Sequence, residues 1–249
     1  LVTGVQTCAL PISREALRIG YASGLTCFLV SLRWLLDIPH PAGSVGAWLA
    51  LSGYCATYPA AWLGWVKFGN GAISRRETGE GGESASTRSW ATPLKQWASV
   101  SWWARTRWIL GASAAWIVLE MLRGWMLGGF PWNLLGTSQF RSIPLIQCSA
   151  WTGIYGVSFL VCWGSLALGS SLLVVAFNRE NRWVWTGEVR LPLVSILVLG
   201  GIGVRKVMSE PRETEYARLA LIQPSIPQTP IWDRASDSNL SMMLYYFIP

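Results

Sequence analysis

The sequence predicts a mainly α-helical membrane protein: a multi-pass transmembrane helical bundle followed by the opening of a small α/β domain. Three observations predict it. Hydrophobic residues make up 51% of the 249 residues and charged residues only 13%, about half the charge of a soluble domain. The mean hydropathy is +0.34, and the apolar residues fall in long uncharged blocks near the roughly 20 residues that cross a bilayer. The chain also holds 17 Trp, a residue that concentrates at the membrane–water boundary.

Residues 1–13, LVTGVQTCALPIS, lack the charged start and long apolar core of a signal peptide. They resemble a translated adapter read-through and are set apart as an artefactual leader. With no initiator Met, the chain is expected to lack its true start. Residues 19–38 form the first expected span, with Arg33 and Asp37 four apart near its end, where they can pair or snorkel. A turn, PHPAGS, leads into a second span over 45–66, which holds no charge and is expected to kink at Pro59. Residues 67–107 form a polar loop whose Gly/Ser/Glu-rich part, 74–88, reads as disordered. Trp97, Trp102 and Trp103 are expected to lay its end on the membrane surface.

A third span is expected over 108–128. Residues 143–177 are apolar for 35 residues, too long for one upright helix. They divide into a re-entrant or interfacial piece near 143–152 and a span over 153–177, where Gly153, Gly156 and Ser158 put small residues at a helix contact. A basic loop over 178–190 precedes the last span, 189–206. The whole membrane domain is thus placed at 14–208, with five spans.

The stretch Trp116–Gln139, WIVLEMLRGWMLGGFPWNLLGTSQ, organises the rest. Glu120 and Arg123 stand three apart in an apolar helix and can pair on one face. An acid and a base inside a span are costly unless paired or facing a wet cavity. They therefore either mark function or fix helix packing. Gly128, Gly129 and Pro131 end the helix, and Trp132 falls at the boundary, as an anchor or a lipid contact.

The net charge of +7 does not point to nucleic acid here, because most Lys and Arg lie in loops, where they set topology and meet anionic lipid. Arg14 and Arg18, seven Lys and Arg of the long loop and three of the 178–190 loop fall on one side, twelve in all, and the opposite short loops hold only Arg141. The long loop is therefore cytoplasmic, and five spans put the residues after Lys206 on the outer face. The five cysteines lack metal-ligand spacing and His40 is the sole histidine, so neither a metal nor a cofactor is expected. In the tail, Tyr216–Gln223 reads as a buried strand. Leu240, Met243, Leu244 and Phe247 mark a helix face, with Ser236 or Asp237 as N-cap. Residues 215–249 thus open an α/β domain but are too few to bury a core.

Taken together, these pieces resemble the apolipoprotein N-acyltransferase family. The resemblance is carried by Glu120-Met-Leu-Arg123-Gly124-Trp125, by Gly129-Phe-Pro-Trp132 with Gly136 and Gln139, and by Gly153-Ile-Tyr-Gly156 with Ser158-Phe159. Leu221-Ile-Gln223, Ile226-Pro-Gln228 and Trp232-Asp233 complete it. It implies a fold of eight spans with a nitrilase-like αββα domain between the seventh and eighth. The five spans here would be the third to seventh, and the tail the first strand and helix of that domain on the periplasmic side of the bacterial inner membrane. It also implies a reaction in which a cysteine thiolate takes an acyl chain from a phospholipid. The resulting thioester passes the chain to the α-amino group of a diacylglyceryl-cysteine on a lipoprotein. The partners implied are the phospholipid acyl donor, the diacylated lipoprotein acceptor and membrane lipid, with the enzyme a monomer. The family's Glu-Lys-Cys triad has no counterpart here: no Cys follows Cys162, and Lys206 is the last Lys. No catalytic residue is assigned, and the chain by itself is expected to be inactive. Trp232 matches a Trp near the active-site entrance, acting there or only in packing. With Trp132, Arg123 and Glu120 it completes the candidate substrate and lipid contacts. The competing class is a multispan transporter or channel subunit whose pathway is lined by Glu120, Arg123 and Pro59. A structural membrane protein without chemistry is a third reading.

Overall fold

A computed structural model of the chain describes residues 14–38, 41–78, 92–177 and 186–209. Among the described residues seven α-helices follow one another: α1 Arg14–Ser31, α2 Pro41–Thr78, α3 Thr92–Ser99, α4 Trp102–Arg123, α5 Ile143–Ile146, α6 Ser149–Phe177 and α7 Thr186–Met208. Short 3-10 turns cover Arg33–Asp37, Met126–Gly128 and Leu135–Gln139. Among the described residues there is no strand. The expected strand 216–223, the tail helix and Trp232 lie outside the described residues.

Among the described residues two helices are long and apolar enough to cross a membrane, Ser149–Phe177 and Gly187–Met208. The three other expected spans are helical but fall short by that measure. Helices α1 and α4 carry charged residues, and α2 is rich in Gly, Ser, Trp and Tyr. The loop expected over 67–107 is partly helix instead: α2 continues to Thr78, α3 is a separate short helix, and α4 starts at Trp102. Ser101 caps α4 by accepting from the Ala104 N–H at 3.4 Å, satisfying one of the donors left free at a helix start. Trp102 and Trp103 are exposed there, but Trp97 is buried, donating its indole N–H to Ser170 Oγ at 2.9 Å. Trp97 therefore packs α3 onto α6 rather than lying on a surface.

Helices α1 and α2 pack backbone to backbone. Gly20 and Gly24, four apart on one face of α1, face Ala60 and Pro59 of α2; a Cβ at Gly20 would come within 2.7 Å of the Ala60 Cα. This is the small-residue spacing that lets membrane helices approach closely. Beside it, Phe28, Leu32, Leu35 and Cys55 form a buried cluster, covered by Trp48, Leu51, Tyr54 and Phe130. Trp62 donates to the Ala112 carbonyl at 2.8 Å and so joins α2 to α4. The long apolar run is divided in two. Helix α5 is one turn, and α6 breaks near its start at Gly153, whose φ of +63° and ψ of −171° only glycine adopts at low cost. A second buried cluster, Cys148, Val157 and Leu160, takes Leu145, Trp163 and Leu199 against it.

Candidate functional site

The end of α4 and the loop after it bury two charged side chains, Glu120 and Arg123. Gly124 closes α4, and Leu127, Gly128 and Gly129 turn the chain through left-handed φ values of 53°, 88° and 83°. A side chain at Gly129 would run into the Gly124 carbonyl, so the turn requires glycine there. The Phe130 N–H then donates back to the Arg123 carbonyl at 2.9 Å.

Glu120 and Arg123 are both buried, at 3% and 2% exposure. They do not make the pair that their spacing allows: no ion pair joins them within 4.0 Å. Each is committed to the loop instead. Glu120 Oε1 accepts from the Leu135 N–H at 2.7 Å and from the Trp116 indole at 3.0 Å. The Arg123 guanidinium donates to the Trp132 carbonyl at 3.0 Å and the Asn133 carbonyl at 3.4 Å, and it stacks over the Phe28 ring at 5.3 Å. The physical reason is that an irregular loop buried against helices has backbone groups that no helix ladder satisfies. In a low dielectric those groups bind the nearest buried charge. Glu120 Oε2 and Arg123 Nε find no partner among the described residues.

The loop is fastened at three further points. The Gly136 N–H donates to Ser158 Oγ at 2.8 Å, and a Cβ at Gly136 would come within 2.7 Å of the Ile154 carbonyl, so α6 lies directly against it. Asn133, at φ +54°, donates to Ser31 Oγ at 2.8 Å. The Tyr58 hydroxyl reaches Met126 Sδ at 3.9 Å and shares a 2.5 Å hydrogen bond with Tyr54.

What this frame presents outward is aromatic. Trp132 is 52% exposed, lies 5.6 Å from Trp34, and stacks with Phe130 at 6.2 Å. The structure thus brings together Glu120, Arg123 and Trp132. The first two hold backbone and the third faces outward. Trp232 lies outside the described residues. Cys55, Cys148 and Cys162 are buried, whereas Cys27 on α1 is exposed; burial pushes the Cys148 thiol up from its ordinary value.

A second polar centre was not anticipated. Arg105 and Glu188, read as loop residues, are buried at 2% and 0% exposure and paired at 2.6 Å. Glu188 also accepts from Ser171 Oγ at 3.3 Å, and Arg105 donates to the Val100 carbonyl. The available signal was helical phase: Arg105, Ile109 and Ala112 recur at i, i+4 and i+7.

The family model described as apolipoprotein N-acyltransferase N-terminal domain matches residues 5–167, and so reaches into the leader set apart above. The apolipoprotein N-acyltransferase of Chromobacterium violaceum is 28% identical over 242 residues, covering 94% of this chain and 39% of that protein. That of Geobacter metallireducens is 29% identical over 232 residues, covering 91% and 38%. That of Vibrio cholerae is 36% identical over 132 residues, covering 52% and 23%. The chain thus spans about two fifths of the length of the first two relatives. No solved structure matches it. With the family model covering well over half of its residues, the chain belongs to the apolipoprotein N-acyltransferase family.

Proposed function

We propose that this chain is the membrane half of an N-acyltransferase of lipoprotein maturation. The enzyme moves an acyl chain from a phospholipid, through an enzyme thioester, to the α-amino group of a lipoprotein's diacylglyceryl-cysteine. In this reading α1, α2, α4, α6 and α7 cross the inner membrane. The 67–107 segment is cytoplasmic, and residues 215–249 open a nitrilase-like domain on the periplasmic face. The thiolate nucleophile and its acid and base partners belong to that domain beyond residue 249. The enzyme acts as a monomer on lipid that arrives sideways from the bilayer. Trp132 and Trp232 contact acyl chain, and Glu120 and Arg123 act indirectly, by holding the loop that carries Trp132.

The observation that carries this reading is the loop clamp. A carboxylate and a guanidinium, both buried, spend their hydrogen bonds on the Trp132–Leu135 backbone while Trp132 itself stays exposed. A transport pathway would instead leave the charged groups facing a wet channel.

The test uses a chimera in which residues 14–249 replace the aligned segment of the Chromobacterium violaceum relative. Trp132→Ala is expected to lower transfer to a diacylated lipopeptide about tenfold, a loss near 1.4 kcal/mol of transition-state stabilisation. Trp132→Phe retains most of the activity. Trp232→Ala is expected to slow at least one half-reaction. Unchanged kinetics in both alanine variants would leave only anchoring and packing roles. Palmitate transfer by purified residues 1–249 alone would contradict the placement of the nucleophile.

A further inference from the structure

Helix α7 is poorly held by burial. Leu191, Val194, Leu197, Val198 and Ile202 are all exposed on it, as befits a lipid-facing helix. Lipid is as apolar as these side chains, so their burial gives no preference for one axial position over another. Specific contacts near its two ends do. At the inner end, Glu188 is fully buried and bound to Arg105 and Ser171. Arg105 in turn holds the Val100 carbonyl in the turn between α3 and α4. The pair therefore joins the starts of α4 and α7 to the inner part of α6. Next to it, Gly187 lies against the Trp102 ring, where a Cβ would come within 3.1 Å. At the outer end, Gly203 is buried against the backbone of α5, and a Cβ there would run into the Pro144 carbonyl. The Lys206 ammonium lies 6.0 Å from the Trp151 ring. Glu188 and Gly203 are 15 residues apart, about 22 Å along a helix.

We infer that Arg105, Glu188 and Gly203 are positioning residues that set the axial register of α7. That register fixes the height above the bilayer at which the segment after Ser209 begins. The inference rests on the proposed topology, in which that segment carries Trp232 and leads to the catalytic domain. An ionic pin at one end and a glycine seated on a backbone carbonyl at the other each have one favourable position. A sliding apolar contact would have many. Loss of either pin frees α7 to move along its axis by up to a turn, about 5.4 Å.

The experiment places single cysteines at positions 204–209 of the chain in lipid nanodiscs or oriented proteoliposomes. It reads the rate of labelling by a membrane-impermeant maleimide, with the signal of the native cysteines subtracted. One boundary between protected and reactive positions is expected in the parent. Glu188→Ala is expected to move that boundary by about one helical turn, near four positions, and Gly203→Val to move it as well. The exchanged pair Arg105→Glu with Glu188→Arg is expected to restore it. Where Glu188→Ala does not fold, Glu188→Gln serves, since it keeps the shape and removes the charge. A boundary that stays in place while the melting temperature falls would overturn the inference, because a merely structural pair changes stability without changing register. Labelling of Ser209→Cys only from the cytoplasmic face would overturn the topology beneath it, and the same assay distinguishes that outcome.

Discussion

Arg105→Met is expected to destabilise the folded chain by about 3–5 kcal/mol, the range for leaving one member of a buried ion pair without its partner. The effect is large because Glu188 has no access to water and depends on one cation. In the variant its carboxylate keeps only the Ser171 hydroxyl, at 3.3 Å. Arg105 also supplies a donor to the Val100 carbonyl, so the α3–α4 turn loses a contact as well. The double variant Arg105→Met with Glu188→Leu removes the desolvated charges together. It is expected to recover most of the loss, since apolar replacement of a whole buried pair is often neutral or stabilising. Denaturation in detergent, followed by tryptophan fluorescence, measures both. A single variant within about 1 kcal/mol of the parent would mean that the pair behaves as an exposed one.

Glu120→Ala is expected to release the loop from 129 to 135. Two donors lose their acceptor, the Leu135 N–H and the Trp116 indole. Hydrogen bonds to a charged group contribute about 1.5–3 kcal/mol each, and a buried donor left alone costs a comparable amount. The Leu135 amide should lose its protection against hydrogen exchange, while the amides of α6 keep theirs. Glu120→Gln distinguishes this account from a simple ion pair. Glutamine keeps a side-chain oxygen for both donors, so a loop clamp predicts a much smaller loss than in the alanine variant. Were Glu120 acting by charge on Arg123, glutamine and alanine would be equally damaging.

The helical class was legible because apolar blocks and scarce charge leave few other solutions. The importance of 116–139 was legible too, since Glu120 and Arg123 interrupt an apolar helix just before glycines. Their partners were not. Spacing of three residues shows that two side chains can meet, but it does not show that a backbone loop nine to fifteen residues further on competes for them. The Arg105–Glu188 pair was harder still, with 83 residues between its members. Each was read with its charged neighbours, Arg105 with the long basic loop and Glu188 with Arg179, Arg182 and Arg190. Only helical phase separates a buried charge from a solvated one in such a run. Gly20 and Gly24 were open to sequence reasoning, because their four-residue spacing is that of close helix contacts. The exposed positions of α1 and α4, with their charges, explain why span length alone did not settle their hydropathy.

The central claim is that the helical bundle hands its C-terminal extension to the periplasmic face, beside the lipid that Trp132 meets. It is tested most directly by labelling Trp232→Cys with an impermeant maleimide in intact spheroplasts. The account predicts labelling from outside, before lysis, at a rate reduced by added phospholipid micelles. Labelling that appears only after the membrane is broken would contradict it.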